Sequence, residues 1–185
     1  MMTISEDRLA RDAGEWRNTT IAIEAFKKGL SQPQDVAIYL EDEPDATYGA
    51  LAKEALRLIA ALRDLGLSTG DVISFQFPNW REGAVVDIAA AALGLVVNPI
   101  VPIYRDAELR FILSDAESKL ILIPDQHRSI DYVNMICRLR PELPCLKHVV
   151  TLRATAEYPD TTRYEQLIDC DPADESSLPV IDPNS

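Results

Sequence analysis

Five side chains are candidates for recognising a small ligand: Asn79, Trp80, Tyr104, Arg105 and His127. A carboxamide, an indole, a phenol, a guanidinium and an imidazole together offer hydrogen bonds, a stacking surface and a positive charge. They are far apart in the chain, so only the fold can gather them. Each also has a purely structural reading. Asn79 stands where a helix wants a cap, with Glu82 three residues on. Trp80, at a helix start, suits packing beneath a loop. Arg105 falls near a helix N-terminus, where the dipole disfavours a cation. His127 is followed by Arg128, with no carboxylate or nucleophile at a spacing that would activate it.

No catalytic constellation accompanies these residues. The sequence has no GxSxG, no GxGxxG, and no GxxxxGK followed by Ser or Thr. Gly66, Gly70 and Gly94 are turn glycines, too far apart to cradle a phosphate. Three cysteines, Cys137, Cys145 and Cys170, form no CxxC pair and read as reduced thiols of a cytoplasmic protein. Neither His127 nor His148 has a partner at zinc-ligand spacing. The acids at 41–43, and Asp169 with Asp171, lack the spacing of a calcium loop. The sequence therefore nominates neither a catalytic residue nor a metal ligand.

The elements that would position the five candidates lie between residues 66 and 152. Short β-branched runs alternate there with longer helical patterns, which is how a parallel sheet is written. Strands are expected over 72–77, 96–101, 119–123 and 148–152. Asn79 would cap a helix over 80–93 that is apolar almost all round, with four alanines at 89–92. Asp106 would cap a helix carrying Leu109, Ile112 and Leu113. Ser129 would cap another, carrying Ile130, Val133, Ile136 and Leu139. The flavodoxin-like order 2-1-3-4 places 72–77 at the centre, with helices on both faces. Its switch point lies beyond the carboxyl ends of the first and third strands. Pro78, Asn79 and Trp80 would meet Pro124, Asp125, Gln126 and His127 there, with Pro102, Tyr104 and Arg105 alongside.

Ahead of this unit, residues 1–18 read as a loose segment and 19–46 as a helix and hairpin. Thr19 or Thr20 would cap the helix, and Val36, Ile38 and Leu40 alternate as a strand. Thr47 caps the clearest helix, with Leu51, Ala55, Leu58, Ile59 and Leu62 on one face. The division is thus 1–18, 19–46, an α/β unit over 47–152, and an acidic, proline-rich tail over 153–185. The tail reads as loop, with one short helix started by Thr162 and Glu165.

Composition narrows the partners. Residues of 47% hydrophobic and 26% charged type are ordinary for a globular protein. A net charge of −12 opposes binding to nucleic acid or an anionic membrane surface. The most apolar stretch, 83–104, is broken by Asp87, Asn98, Pro99 and Pro102. It is core and not a membrane span, which needs about 20 apolar residues.

Ordered motifs across residues 14–150 resemble the AMP-forming adenylating enzymes, the superfamily of acyl-CoA ligases. Gly14-Glu15-Trp16 with Asn18-Thr19-Thr20 resembles the opening segment of aryl-acid and cyclic-acid ligases. Thr47-Tyr48-Gly49-Ala50-Leu51 resembles the family's TYxEL helix start, with Ala50 in place of the acid. Gly66, Gly70, Asp71 and Val72 match its GxxxGD turn, and Pro78-Asn79 its PN turn. Leu93-Gly94 leads into Val97-Asn98-Pro99-Ile100-Val101-Pro102, its second-strand signature, and Glu108-Leu109 with Ile112-Leu113 match the helix that follows.

The resemblance implies the N-terminal portion of the adenylating-enzyme fold and a two-step ligase. ATP with Mg²⁺ would activate a carboxylic acid as its acyl-adenylate, and coenzyme A would then displace AMP. In that family the phosphate loop, adenine pocket, Mg²⁺ acid, ribose aspartate and catalytic lysine all lie beyond the position of residue 185. The chain alone is therefore expected to hold no cofactor and to be inactive, with the C-terminal portion or another copy of itself as partner. Two other readings stay open. One is a non-catalytic binding or interaction protein that keeps this half fold. The other is an unrelated doubly wound domain with a small ligand at the switch point.

Overall fold

A computed structural model describes residues 19–41 and 43–183. The expected loose segment 1–18, with Gly14-Glu15-Trp16 and Asn18, lies outside the described residues. Helix α1, Ile21–Ser31, begins where Thr20 accepts the Ile23 N–H at 3.3 Å, and it buries Ala22 and Phe26. Strand β1, Val36–Ile38, pairs antiparallel with β2, Ala46–Thr47, through an irregular register. Helix α2, Tyr48–Asp64, starts with Thr47 accepting the Ala50 N–H at 3.2 Å. Leu51, Ala55, Leu58, Ile59 and Leu62 recur at three- and four-residue steps, and all are buried. Helices α1 and α2 approach so closely that a Cβ added at Gly29 would sit 2.6 Å from that of Ala52.

Strand β3, Val72–Phe75, then alternates with α3, Arg81–Leu93; β4, Val96–Pro99; α4, Asp106–Asp115; and β5, Leu120–Pro124. A small antiparallel pair follows, β6, Gln126–His127, with β7, Ile130–Asp131. Helix α5, Tyr132–Leu139, leads to β8, His148–Leu152, then β9, Thr162–Arg163, and the short α6, Tyr164–Leu167. The main sheet is wholly parallel, in the order β4-β3-β5-β8-β9.

The first four strands take the expected order, and the fifth changes the centre. Strand β9 joins β8 through Val150↔Thr162 and Thr151↔Arg163. The middle strand is consequently β5, all five of whose residues are buried, while β3 lies between β4 and β5 with only Ile73 and Ser74 fully covered. Strand β9 is two residues of mixed polarity, so no apolar run announces it.

Alternate strand residues build two cores. Ile73, Leu120, Leu122, Val150 and Leu152 face α2 and α3, joining Leu58, Ile59, Leu62, Val85 and Val86. Ile121, Ile123 and Val149 face the other way, towards Leu109, Leu113, Val133, Ile136 and Leu139 of α4 and α5. Full burial of each such side chain stabilises by about 1.5–3 kcal/mol. Helix α3 is buried as its alanine run requires, with Val85, Val86, Ala89 and Ala90 at 0% exposure. Gly94, at φ +66°, ends it in the left-handed region. On the open edge, the Val96 and Ile100 amides donate inward to Asp71 and Phe75. Alternation turns Val97 and Pro99 outward, and Pro99 has no N–H to offer another strand.

Local chemistry departs from expectation at three helix starts; at α4 the N-cap is Arg105, and Asp106 is the first helical residue. Helix α3 takes Trp80 as its N-cap, and Asn79 does not cap it. The Trp80 N–H donates to Pro78 O at 2.6 Å and the Gly83 N–H to Trp80 O at 3.0 Å, so a tight turn displaces the cap by one residue. Helix α5 is capped by Asp131, which accepts the Asn134 N–H at 2.9 Å, because Ser129 lies in the connection of the β6–β7 pair. The tail is irregular apart from β9, α6 and a 3-10 turn at Glu175–Ser177, as the loop reading expects, but it is docked and not loose. The Ala173 N–H donates to Leu56 O at 3.0 Å, and Arg63 donates to Ser177 O at 2.8 Å. Leu167, Ile168, Ala173 and Leu178 pack on the core, so the tail is bound to α2. Among the described residues, no helix is long and apolar enough to cross a membrane.

Candidate functional site

The carboxyl edge of the sheet brings two of the five candidates together. Trp80 and His127 meet edge to face, with ring centroids 6.0 Å apart. Phe77 stacks on the same indole at 5.9 Å, and Phe75 on Phe77 at 4.7 Å. Asn79 is exposed in the turn before α3. Arg105 folds back on the turn after β4, donating to Pro102 O at 3.1 Å and Tyr104 O at 2.9 Å. Those carbonyls explain how a guanidinium is tolerated at the start of α4. Among the described residues, no hydrogen bond or ring contact joins Asn79, Tyr104 or Arg105 to the Trp80–His127 pair.

The residues that organise this edge are others. Arg153, just past β8, spans both oxygens of Glu82 at 2.8 and 3.0 Å. It reaches Glu43 on the hairpin at 2.5 Å and lies 4.3 Å from the centre of the Trp80 ring. Glu82 is 7% exposed and the Arg153 side chain 31%, so this fork is a partly buried ion pair. Arg153 sits at φ +52°, an uncommon conformation for a side chain of its size. Beside it, Arg81 donates to Glu54 at 2.6 Å, and the Tyr164 hydroxyl donates to the other Glu54 oxygen at 2.9 Å. Burial, then the Glu54 charge, pushes the Tyr164 phenol far up.

Asp125, at the end of β5, is 4% exposed. It accepts from the Gln126 N–H at 2.6 Å, the Thr155 N–H at 2.7 Å, the Thr155 hydroxyl at 2.8 Å and the Tyr158 hydroxyl at 3.3 Å. Burial raises the carboxyl, but these donors outweigh it and hold Asp125 below the usual carboxylate range. Gln76 is fully buried, and its amide donates to Val101 O and Tyr104 O, both at 3.1 Å. Two carbonyls fix that amide's orientation and leave Gln76 Oε1 without a partner.

Sequence reasoning missed Arg153, and it missed the pairings of Glu82 and Asp125, because those partners lie 30 to 110 residues away. Asp125 was placed at the switch point because it directly follows a strand there; its role as acceptor of four hydrogen bonds was not.

Chemically, the edge is closed on itself. The carboxylates Glu43, Glu54, Glu82 and Asp125 are all paired or hydrogen-bonded, as are the guanidiniums of Arg81, Arg105 and Arg153. Three buried side-chain atoms among the described residues lack a hydrogen-bond partner, Gln76 Oε1, Thr151 Oγ1 and Arg163 Nε; of these Gln76 Oε1 is an acceptor and repels phosphate oxygens. These residues do not fit a nucleotide by themselves. Among the described residues, no group of three or more His, Cys, Asp or Glu side chains is placed to hold a metal ion.

A second concavity is apolar and open. A cavity of about 530 Å³ lies between α1, β1, α2 and α3, lined by Ile21, Ala25, Ile38, Leu51 and Ile88. A cleft of about 290 Å³, lined by Ile38, Phe75, Phe77, Pro78 and Trp80, runs from it towards the carboxyl edge. Asp87 borders both. Partial burial raises its carboxyl, and among the described residues it has no hydrogen-bond or ion-pair partner.

Comparison with known proteins accounts for this architecture. A model of the AMP-binding enzyme family matches residues 26–183. The medium-chain fatty-acid–CoA ligase of Escherichia coli K12 is 29% identical over 179 residues, covering 96% of this chain and 31% of the relative. The 2-hydroxy-7-methoxy-5-methyl-1-naphthoate–CoA ligase of Streptomyces carzinostaticus is 26% identical, covering 88% of this chain and 28% of the relative. The chain thus spans about a third or less of the length of these curated relatives. Among solved structures, an acetoacetyl-CoA synthetase from Streptomyces lividans superposes with a TM-score of 0.76 at 25% identity, over 83% of this chain and 25% of the other. Mycobacterium smegmatis MbtA shares the fold with a TM-score of 0.78 at 23% identity, over 98% of this chain and 32% of the other. The chain belongs to the AMP-binding enzyme family, and its fold is that of an N-terminal part of an AMP-forming acyl-CoA synthetase.

Proposed function

We propose that these 185 residues are a scaffold lobe of an AMP-dependent acid–CoA ligase and form no acyl-adenylate on their own. The family reaction joins a carboxylic acid to coenzyme A through an acyl-AMP, using ATP and Mg²⁺. The observation that carries the reading is the closed carboxyl edge: Arg81, Arg105 and Arg153 are already engaged by this chain's own carboxylates and carbonyls. Phosphoryl chemistry needs donors aimed at the phosphate oxygens, and removing even one such donor typically slows a reaction about 10²–10³-fold. What this lobe supplies is the sheet, the packed α3 and the apolar groove against which other parts of a ligase can seat. Acid-dependent exchange of pyrophosphate into ATP, assayed with a panel of carboxylic acids, should stay at background for the 185-residue chain. Turnover that depends on an acid would overturn this reading.

A second reading is a non-catalytic interaction protein. The open groove favours it, with Ile21 in its lining 60% exposed. The two readings separate when the C-terminal portion of a relative is added as a separate polypeptide. A lobe of a ligase should gain thermal stability from it. An interaction protein of independent role should melt unchanged.

A further inference from the structure

The apolar groove lies where the described chain begins. Ile21, Glu24, Ala25 and Lys28 line it from α1, at the three- and four-residue steps of one helical face, opposite Ile38 of β1 and Ile88 of α3. Ile21, at the head of that face, is exposed, and among the described residues the groove stays open. The Thr19 hydroxyl donates to Glu24 Oε1 at 2.9 Å, so the first described residue is drawn onto the groove's rim. Residues 1–18 precede it, and Trp16 is the one aromatic residue in their sequence. Trp16 stands five residues before Ile21, so at most about 18 Å of chain separates their backbones.

We infer that the segment ahead of Thr19 is the occupant of this groove, with the Trp16 indole seated between α1, β1 and α3. An indole has an apolar body and one N–H donor, which suits an apolar cavity with a carboxylate on its rim. At about 530 Å³ the cavity has room for a two-ring side chain. Arg17, next to Trp16, adds a positive charge beside Glu24, whose side chain is 45% exposed. Tethering decides between this occupant and a free one. A group on a short tether has an effective concentration of about millimolar order, far above that of a second copy at about micromolar protein. The segment is the first part to seat on the groove, and the inference stands whether or not the chain serves a ligase.

The experiment labels the isoleucine methyl groups of the full chain and records NOEs from the Trp16 indole by NMR. The chain has two tryptophans, and the indole signal lost in Trp16→Ala identifies the right one. Cross-peaks from Trp16 to the Ile21 and Ile38 methyls are expected. Trp16→Ala should remove them and shift both methyl signals, while those of the fully buried Ile73 and Ile121 stay in place. Ile21→Lys places a charge in the groove from an exposed position, and it should abolish the contact between Trp16 and Ile38 without unfolding the chain. Absence of both cross-peaks in the folded wild type would overturn the inference. So would Ile21 and Ile38 signals that ignore Trp16→Ala. Cross-peaks found only between labelled and unlabelled copies in a mixed sample would give the groove to a second copy, and would overturn it too.

Discussion

Two aspartates place the carboxyl edge and the apolar groove side by side. Asp125 is almost wholly buried, yet its carboxyl lies below the ordinary range, because four donors converge on it. Asp87 reaches solvent, yet its carboxyl is raised, because apolar surroundings strip its water and supply no donor. Burial alone predicts the wrong order, and the count of hydrogen bonds predicts the right one. The same contrast separates the two regions. The edge, where a doubly wound sheet ordinarily binds ligands, pairs Arg81 and Arg153 with its own carboxylates. The groove, which no topological rule singles out, is an apolar surface left open by the described residues.

Helix α3 links the regions, and the largest expected effect is there. Val85 is fully buried midway between Glu82 and Ile88. Val85→Asp should unfold the chain, since an unpaired buried charge costs about 3–5 kcal/mol against a total stability of about 5–15 kcal/mol. A cooperative melt by circular dichroism near the wild-type temperature would show that the two regions do not share this core.

The next largest effect tests the edge alone. Asp125→Ala leaves the amides of Gln126 and Thr155 without their acceptor and should lose about 2–3 kcal/mol in urea titrations. The pH dependence has a definite sign. The folded carboxyl titrates below the unfolded one, so its stabilisation is complete above the unfolded value of about 3.9 and is lost as pH falls through the folded value. Wild type and Asp125→Ala should therefore converge in acid. Parallel curves would remove Asp125 as the organising group.

Tyr164→Phe should be milder, at about 1 kcal/mol, because Glu54 keeps its ion pair with Arg81. Its diagnostic is local: faster amide exchange in 162–168, which ties α6 to α2. Unchanged exchange there would mean that packing alone holds the tail.

The smallest effect tests the groove. Asp87 titrates higher folded than unfolded, so its penalty is absent below the unfolded value and grows as pH rises through the folded one. Asp87→Asn should slightly raise the melting temperature at neutral pH, with the gain vanishing in acid. A loss of stability at neutral pH would mean that Asp87 has a favourable partner.

Much of this fold was legible in the sequence, and the reasons are local. Thr20 and Thr47 cap α1 and α2 through contacts three residues away. The alternation of 66–152 yields the strand order because right-handed crossovers leave few others. What escaped has no local signature. Strand β9 is ordered by its neighbour β8, and the tail by a carbonyl at Leu56. The cap of α3 moved from Asn79 to Trp80 because proline shapes a tight turn there. At the site, Trp80 and His127 were placed together by topology. Arg153, which lies over that indole, was invisible because its partners Glu82 and Glu43 precede it by 71 and 110 residues.

The central proposal is that the chain binds no nucleotide by itself, because the charged side chains of its carboxyl edge are engaged by one another. The direct measurement is a titration of the 185-residue chain with ATP and Mg²⁺, read from the backbone amides of 78–80, 102–105, 125–127 and 153–155. The account predicts no saturable shift at those positions. Saturable shifts clustered there would contradict it.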